Sequence, residues 1–192
     1  KLRSLCDDNN WLLMVDEVQS GFCRTGKWFG YQHSKIIPDV VTVAKALGNG
    51  IPIGACLTNK KSSTVLTPGS HGSTFGGNFL STSVAIQVLD IMREKNLSKN
   101  ARLMGLYIEK ELKEKLANYS IVKDIRCRGL MIGIELKVKC LELVEEALKN
   151  RLVINVTKEN TIRMLPPLII NKLEVDIIVN VICKIIGEIK YE

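Results

Sequence analysis

The chain has 192 residues, 46% hydrophobic and 24% charged, with a formal net charge of +7, enough apolar content for one ordinary domain or two small ones. The basic excess raises the question of an anionic partner, but charges of opposite sign alternate in stretches such as Glu109-Lys110-Glu111-Leu112-Lys113-Glu114-Lys115. That is the pattern of a solvated helix face, and no basic block with interleaved aromatics speaks for nucleic acid. Six cysteines without Cys-x-x-Cys spacing and only two histidines, His33 and His71, argue against a zinc site, and no run reaches the roughly eighteen apolar residues of a membrane span. A cytoplasmic protein with reduced thiols and no membrane partner is expected.

Residues 11–15, 40–44 and 52–58 are short apolar runs between turn-rich connections, the signature of buried strands. They are expected to form part of a parallel sheet. After Asn78 the texture turns helical, and Leu80, Val84, Ile86, Val88, Leu89 and Met92 predict a long, largely buried helix. A second helix places Leu103, Met104, Tyr107, Ile108, Leu112 and Leu116 on one face. The domain boundary is expected between Glu94 and Lys99, giving segments 1–96 and 97–192. Residues 121–126 and 129–136 then read as adjacent strands, 141–150 as a short helix, and 152–156 and 161–164 as two further strands. Asn171 with Glu174 predicts a capping box for a last helix with the apolar stripe Ile178, Val181, Ile182, Ile185, Ile186 and Ile189. The second segment is thus a small α+β domain.

Two of the predicted strands end in chemistry. The first runs into Asp16-Glu17, and the second into Lys45 and the turn Ala46-Leu47-Gly48-Asn49-Gly50. Ligands of open α/β sheets sit at the carboxyl ends of strands. A lysine and an aspartate delivered there suit pyridoxal phosphate: the amine holds the aldehyde as a Schiff base and the carboxylate keeps the ring nitrogen protonated. Taken singly, Lys45 could be a lysine snorkelling from a strand end, Asp16 a cap for the following connection, and Gly72-Ser73-Thr74-Phe75-Gly76-Gly77 an ordinary turn or a cradle for a phosphate. Arg163, between apolar neighbours, could be one half of a structural ion pair or a fork for a carboxylate.

Five words occur in order: Asp16-Glu17-Val18-Gln19-Ser20-Gly21, Arg24-Thr25-Gly26, Pro38-Asp39, Ala44-Lys45-Ala46-Leu47-Gly48 and His71-Gly72-Ser73-Thr74-Phe75-Gly76-Gly77-Asn78. In these the chain resembles the class III aminotransferases, and among them the acetylornithine branch. The resemblance implies a fold-type-I α/β transferase, represented by the carboxyl-terminal part of its large parallel-sheet domain followed by the small α+β domain, and a chain that is a fragment of a longer reading frame. It further implies Lys45 and Asp16 as catalytic groups and Asp16, Glu17, Val18, Gln19, Lys45 and Thr74 as the cofactor contacts, with Val18 packed on the ring and Gln19 near its hydroxyl. Ser73 and Arg163 are implied to meet substrate, and Thr74 to reach the cofactor phosphate of a neighbouring subunit in a homodimer with shared active sites. The implied reaction exchanges the δ-amino group of N2-acetylornithine with 2-oxoglutarate in arginine biosynthesis. Ornithine, succinylornithine, acetyl-lysine and 4-aminobutyrate remain alternative donors, and an inactive half that serves as an assembly partner remains an alternative role.

Arg126 reads as a buried arginine with a structural role, and Arg24 and Thr25 as residues that fix the loop after the first strand. Three positions depart from the resembling words. Cys23 and Cys127 stand where glycine is usual and Phe79 where proline is usual. If the glycines serve positive-φ positions, each side chain costs about 1 kcal/mol or more.

Overall fold

The computed structural model describes residues 1–189, and the chain divides into two compact units, one of residues 1–98 and one that begins at Lys99. The first contains α1 (Leu2–Asp8), β1 (Met14–Asp16), β2 (Val40–Val43), β3 (Ala55–Thr58) and α2 (Phe79–Glu94). Helix α3 (Leu97–Lys115) begins at the division, and the second unit continues through β4 (Val122–Arg128), β5 (Met131–Leu136), α4 (Leu143–Lys149), β6 (Asn155–Thr157), β7 (Thr161–Met164) and α5 (Lys172–Gly187). Among the described residues no helix is long and apolar enough to cross a membrane.

In the first unit the sheet order is β1-β2-β3. Strands β1 and β2 are parallel, with Met14 opposite Val40 and Asp16 opposite Thr42. Strand β3 is antiparallel to β2, Val43 facing Ala55, which corrects the expectation of an all-parallel arrangement. The connection from Ala44 to Gly54 is too short for the crossover that a parallel return requires, and it folds on itself through Leu47 N–H to Ala44 O (2.9 Å) and Ile51 N–H to Gly48 O (3.1 Å).

The opposite end of this sheet is fastened by Asp39. Its carboxylate accepts from the Arg3 guanidinium (2.7 Å), the Leu13 N–H (2.8 Å) and the Asn59 side-chain amide (2.9 Å). These partners, Arg3 first, hold its pKa well below the usual carboxylate range. One side chain thereby joins α1 to the starts of β1 and β2 and the end of β3. Helix α1 itself has no buried residue, which is why its apolar pattern did not announce it.

Only β2 is substantially buried in this sheet. Residues of β3 are exposed throughout, and α2 buries only Ser81, Ala85 and Met92, while Leu80 and Ile86 are exposed. The expected burial of β3 and of most of α2 is therefore corrected: no layer of the described chain covers those faces.

The second unit is a four-stranded antiparallel sheet, order β4-β5-β7-β6, with a continuous core. Ile108 and Leu112 of α3 are fully buried, as are Ile134 and Leu136 of β5, Ile162 of β7 and Val175, Val179 and Ile182 of α5. Complete burial of each such side chain contributes about 1.5–3 kcal/mol. The opposite face of α3 carries the ion pairs Lys113–Glu109 (2.6 Å) and Lys110–Glu114 (3.7 Å), as the alternating charges predicted. Leu103, expected on the apolar face, is instead exposed. Helix α5 starts at the predicted box: Glu174 N–H donates to Asn171 (3.1 Å), and Asn171 N–H to the Glu174 carboxylate (2.9 Å).

Candidate functional site

Strand β1 ends at Asp16 and β2 at Val43, and because the two are parallel the carboxyl ends lie side by side. Asp16 faces Thr42 across the pair, and the ladder runs one residue further through Glu17 N–H to Thr42 O (2.9 Å). Lys45 follows β2 after a single intervening residue and opens a short 3-10 turn, Lys45–Leu47. The sheet thus brings Asp16 and Lys45 to one edge, both exposed, with Val18 and Gln19 in the chain leaving Asp16.

The backbone of Lys45 sits at φ +40°, in the left-handed region that costs a lysine about 1 kcal/mol or more. Strain of this kind persists where surrounding structure over-determines it, and it clusters at functional sites. Here the determinant is the loop: Gly48 and Asn49 N–H groups both donate to Lys45 O (3.2 and 3.1 Å), and a side chain at Gly48 would collide with the carbonyl of Ile51. On the neighbouring strand, Asp16 Oδ1 accepts from Val18 N–H (2.8 Å). The carboxylate is therefore oriented by its own backbone, with Oδ2 left over for an incoming donor.

Glu17 was expected among the cofactor contacts, and its geometry corrects this. Its side chain is 1% exposed and turns into the loop. It accepts from Ser20 Oγ–H (2.5 Å), Gly30 N–H (3.0 Å) and Tyr31 N–H (2.7 Å). The alternation of side chains that sends Asp16 one way sends Glu17 the other.

Further along the same loop Thr25 is buried, and its carbonyl and hydroxyl oxygens lie 3.1 and 3.2 Å from His33 Nε2. This contact was not read from the sequence, where His33 figured only as an unlikely metal ligand. Cys23 is fully buried at φ +70°, so the positive-φ condition holds there. Cys127 lies within strand β4, and for it the condition fails. Burial pushes the Cys23 thiol up to about 11 and the Cys127 thiol up to about 12, which keeps both protonated and unreactive.

Ser73 and Thr74 are exposed. Ser73 Oγ accepts from Gly76 N–H (2.9 Å), a local turn, and among the described residues no hydrogen bond links this loop to Asp16 or Lys45. Asn78 ends the loop and caps α2, accepting from Ser81 N–H (2.9 Å). Phe79, at the first position of α2, is 92% exposed.

Arg163 lies in the second unit on β7, opposite Gly133, which in turn faces Arg126 on β4. Glycine between two arginines forms the floor of a groove of about 570 Å³ whose walls include Arg126, Arg128, Met131 and Arg163. Arg163 is half-buried rather than buried. Arg126 is exposed, correcting its expected burial, and pairs with Asp124 (2.6 Å) and Glu135 (2.7 Å).

Comparison with known proteins identifies the family to which the fold belongs. The family profile described as Aminotransferase class-III matches residues 1–186. The chain is 49% identical over 96% of its length to 47% of the acetylornithine aminotransferase of Nitrosomonas europaea, and 39% identical over 98% of its length to 48% of that of Methanocaldococcus jannaschii. Among solved structures it matches an ornithine delta-aminotransferase of Plasmodium falciparum with a TM-score of 0.92 and 36% identity, covering 97% of this chain and 50% of that one. It also matches the acetylornithine aminotransferase of Elizabethkingia anophelis with a TM-score of 0.91 and 34% identity, covering 97% and 48%. The chain spans about half the length of the curated relatives it matches. Likeness of sequence along almost the whole chain, together with likeness of fold at well above chance identity, places this chain in the class III aminotransferase family, whose members depend on pyridoxal phosphate.

Proposed function

We propose that this chain contributes the lysine-and-aspartate part of a pyridoxal-phosphate site for transfer of the terminal amino group of N2-acetyl-L-ornithine to 2-oxoglutarate, yielding N-acetylglutamate 5-semialdehyde and glutamate. The observation that carries the reading is the parallel register of β1 and β2, which sets Asp16 and the strained Lys45 at one strand edge. Their chemistry fits the cofactor: an amine for an aldehyde and an anion for a ring N–H. Pyridoxal phosphate, when bound, supplies the aldehyde for exchange with amines and a ring that takes up an electron pair.

When the cofactor is bound, Lys45 Nζ would hold its aldehyde and, once freed, would move the proton of the substrate carbon bearing the amine, as general base and then general acid. Asp16 Oδ2 would accept the ring N–H, Val18 would pack on the ring, and Gln19 would serve its hydroxyl. Arg163 offers a fork for the carboxylate of the second substrate, while Ser73 lies against substrate and Thr74 serves the phosphate bound by a second copy in a homodimer.

The likeness to ornithine aminotransferase structures supports ornithine as the alternative donor. A second reading, that the chain alone is an assembly partner without activity, is favoured by its exposed Trp11, Met14, Phe75 and Phe79, apolar groups that invite association. The test uses the polypeptide of the complete reading frame. Acetylornithine should convert the bound cofactor to its amine form and 2-oxoglutarate should reverse it, giving ping-pong kinetics. Activity on 4-aminobutyrate or ornithine with none on acetylornithine overturns the substrate assignment.

A further inference from the structure

We propose that Glu17 is a positioning residue for Asp16: a buried carboxylate that fixes the loop from which the catalytic aspartate takes its orientation. The proposal rests on the functional reading above and adds a role to a residue that touches neither substrate nor cofactor.

Glu17 is 1% exposed, so its carboxylate is met by protein groups and not by water. Its charge is met by three neutral donors, the Ser20 hydroxyl and the Gly30 and Tyr31 N–H groups. The last two open the short 3-10 helix Gly30–Ser34, where N–H groups have no partner within the helix and accept an anion readily. A buried charge is costly, and here these donors offset that cost.

Space for the carboxylate is built into the surrounding chain. A Cβ at Gly30 would stand 3.2 Å from Glu17 Oε2 and 3.3 Å from Oε1, and one at Gly21 would stand 2.7 Å from the Glu17 carbonyl oxygen. Gly21 is needed for close approach of backbone, Gly30 leaves the carboxylate room that a Cβ would narrow, and neither serves a positive φ. The Glu17 carbonyl then accepts from Gly21 N–H (3.0 Å). Main chain and side chain of one residue together draw segments 20–21 and 30–31 onto the end of β1.

The consequence for Asp16 follows through one peptide. Asp16 Oδ1 is held by Val18 N–H (2.8 Å), and the position of that N–H depends on the turn that begins at Glu17. Releasing the Glu17 carboxylate frees the turn, and with it the donor that aims Asp16. Glutamine at position 17 keeps one acceptor oxygen but presents an NH₂ to donors that already point inward, so at least one bond becomes a repulsion.

The test uses the full-length holoenzyme with three variants: Glu17→Gln; Gly30→Ala, which displaces the carboxylate without removing it; and Asp16→Asn as reference. Four readouts are taken: attachment of cofactor to Lys45 by hydride trapping, the pH midpoint of the bound cofactor's absorbance, kcat and KM. Misplacement of a reacting group by about 1 Å costs up to about 10²-fold. Glu17→Gln is therefore expected to lower kcat about ten- to a hundredfold with KM changed less than about threefold. Gly30→Ala should fall between it and wild type, and both should retain trapping and shift the absorbance midpoint in the same direction as Asp16→Asn. Because Glu17 acts through Asp16, the double variant Asp16→Asn/Glu17→Gln should be no slower than Asp16→Asn alone.

If Glu17→Gln does not fold, Gly30→Ala alone decides, on the same readouts. Folded variants with a wild-type pH midpoint and wild-type kcat, or additive losses in the double variant, overturn the positioning role while leaving the aminotransferase reading intact. Failure of the wild type itself to trap cofactor at Lys45 overturns both.

Discussion

Asp16 and Thr42 are register partners across the parallel strands β1 and β2, and this pairing places the carboxylate beside the point where the chain turns into Lys45. Parallel strands start and finish together, so two residues far apart in sequence are delivered to one edge without any direct contact between them. Asp16→Asn preserves the side-chain volume and the oxygen that accepts from Val18 N–H but removes the charge. The variant is expected to keep cofactor and to lose about 10²-fold or more in kcat, measured as turnover per bound cofactor.

Phe79 occupies the first helical position of α2 with its ring 92% exposed. Its N–H lies among those that a helix leaves without an internal partner, and proline is pre-set for that φ. Phe79→Pro should raise stability by about 0.4–1 kcal/mol, read as a higher urea midpoint with an unchanged slope.

The strand over residues 161–164 and the Asn171 cap were legible in the sequence because both are local. Alternation over four residues and a box closed over three leave little to the rest of the chain. The direction of β3 was not, since it depends on how the Ala44–Gly54 loop closes on itself. Nor was the role of Glu17: its neighbours in sequence suggest the site, whereas two of its donors stand thirteen and fourteen residues away. Helix α1 escaped for the same reason, its hold on the sheet being the Arg3–Asp39 pair across 36 residues. Asp16, Lys45 and the ordered words around them were readable because chemistry at strand ends demands particular residue types.

Gly105 on α3 packs directly on the backbone of Gly129, and a Cβ there would collide with the Gly129 carbonyl. Backbone atoms on both sides cannot step aside as a flexible side chain would. Gly105→Ala is expected to cost about 1–3 kcal/mol, measured by urea unfolding.

Acid stability carries a signature at Glu135. Hydrogen bonds from Lys123 and Arg126 lower its pKa to about 2, against an ordinary value of about 4.3. The folded value is the depressed one, so this contribution is present above the ordinary value and is lost as pH falls from there towards about 2. Glu135→Gln should flatten the pH dependence of unfolding in that window, and salt should shrink the difference because the partners are partly exposed.

The most direct test of the account is hydride trapping of pyridoxal phosphate on the full-length protein followed by peptide mass mapping. The account predicts one reduced cofactor adduct, on Lys45, abolished in Lys45→Ala and retained in Asp16→Asn. An adduct on another lysine, or none in a protein that demonstrably binds the cofactor, would contradict it.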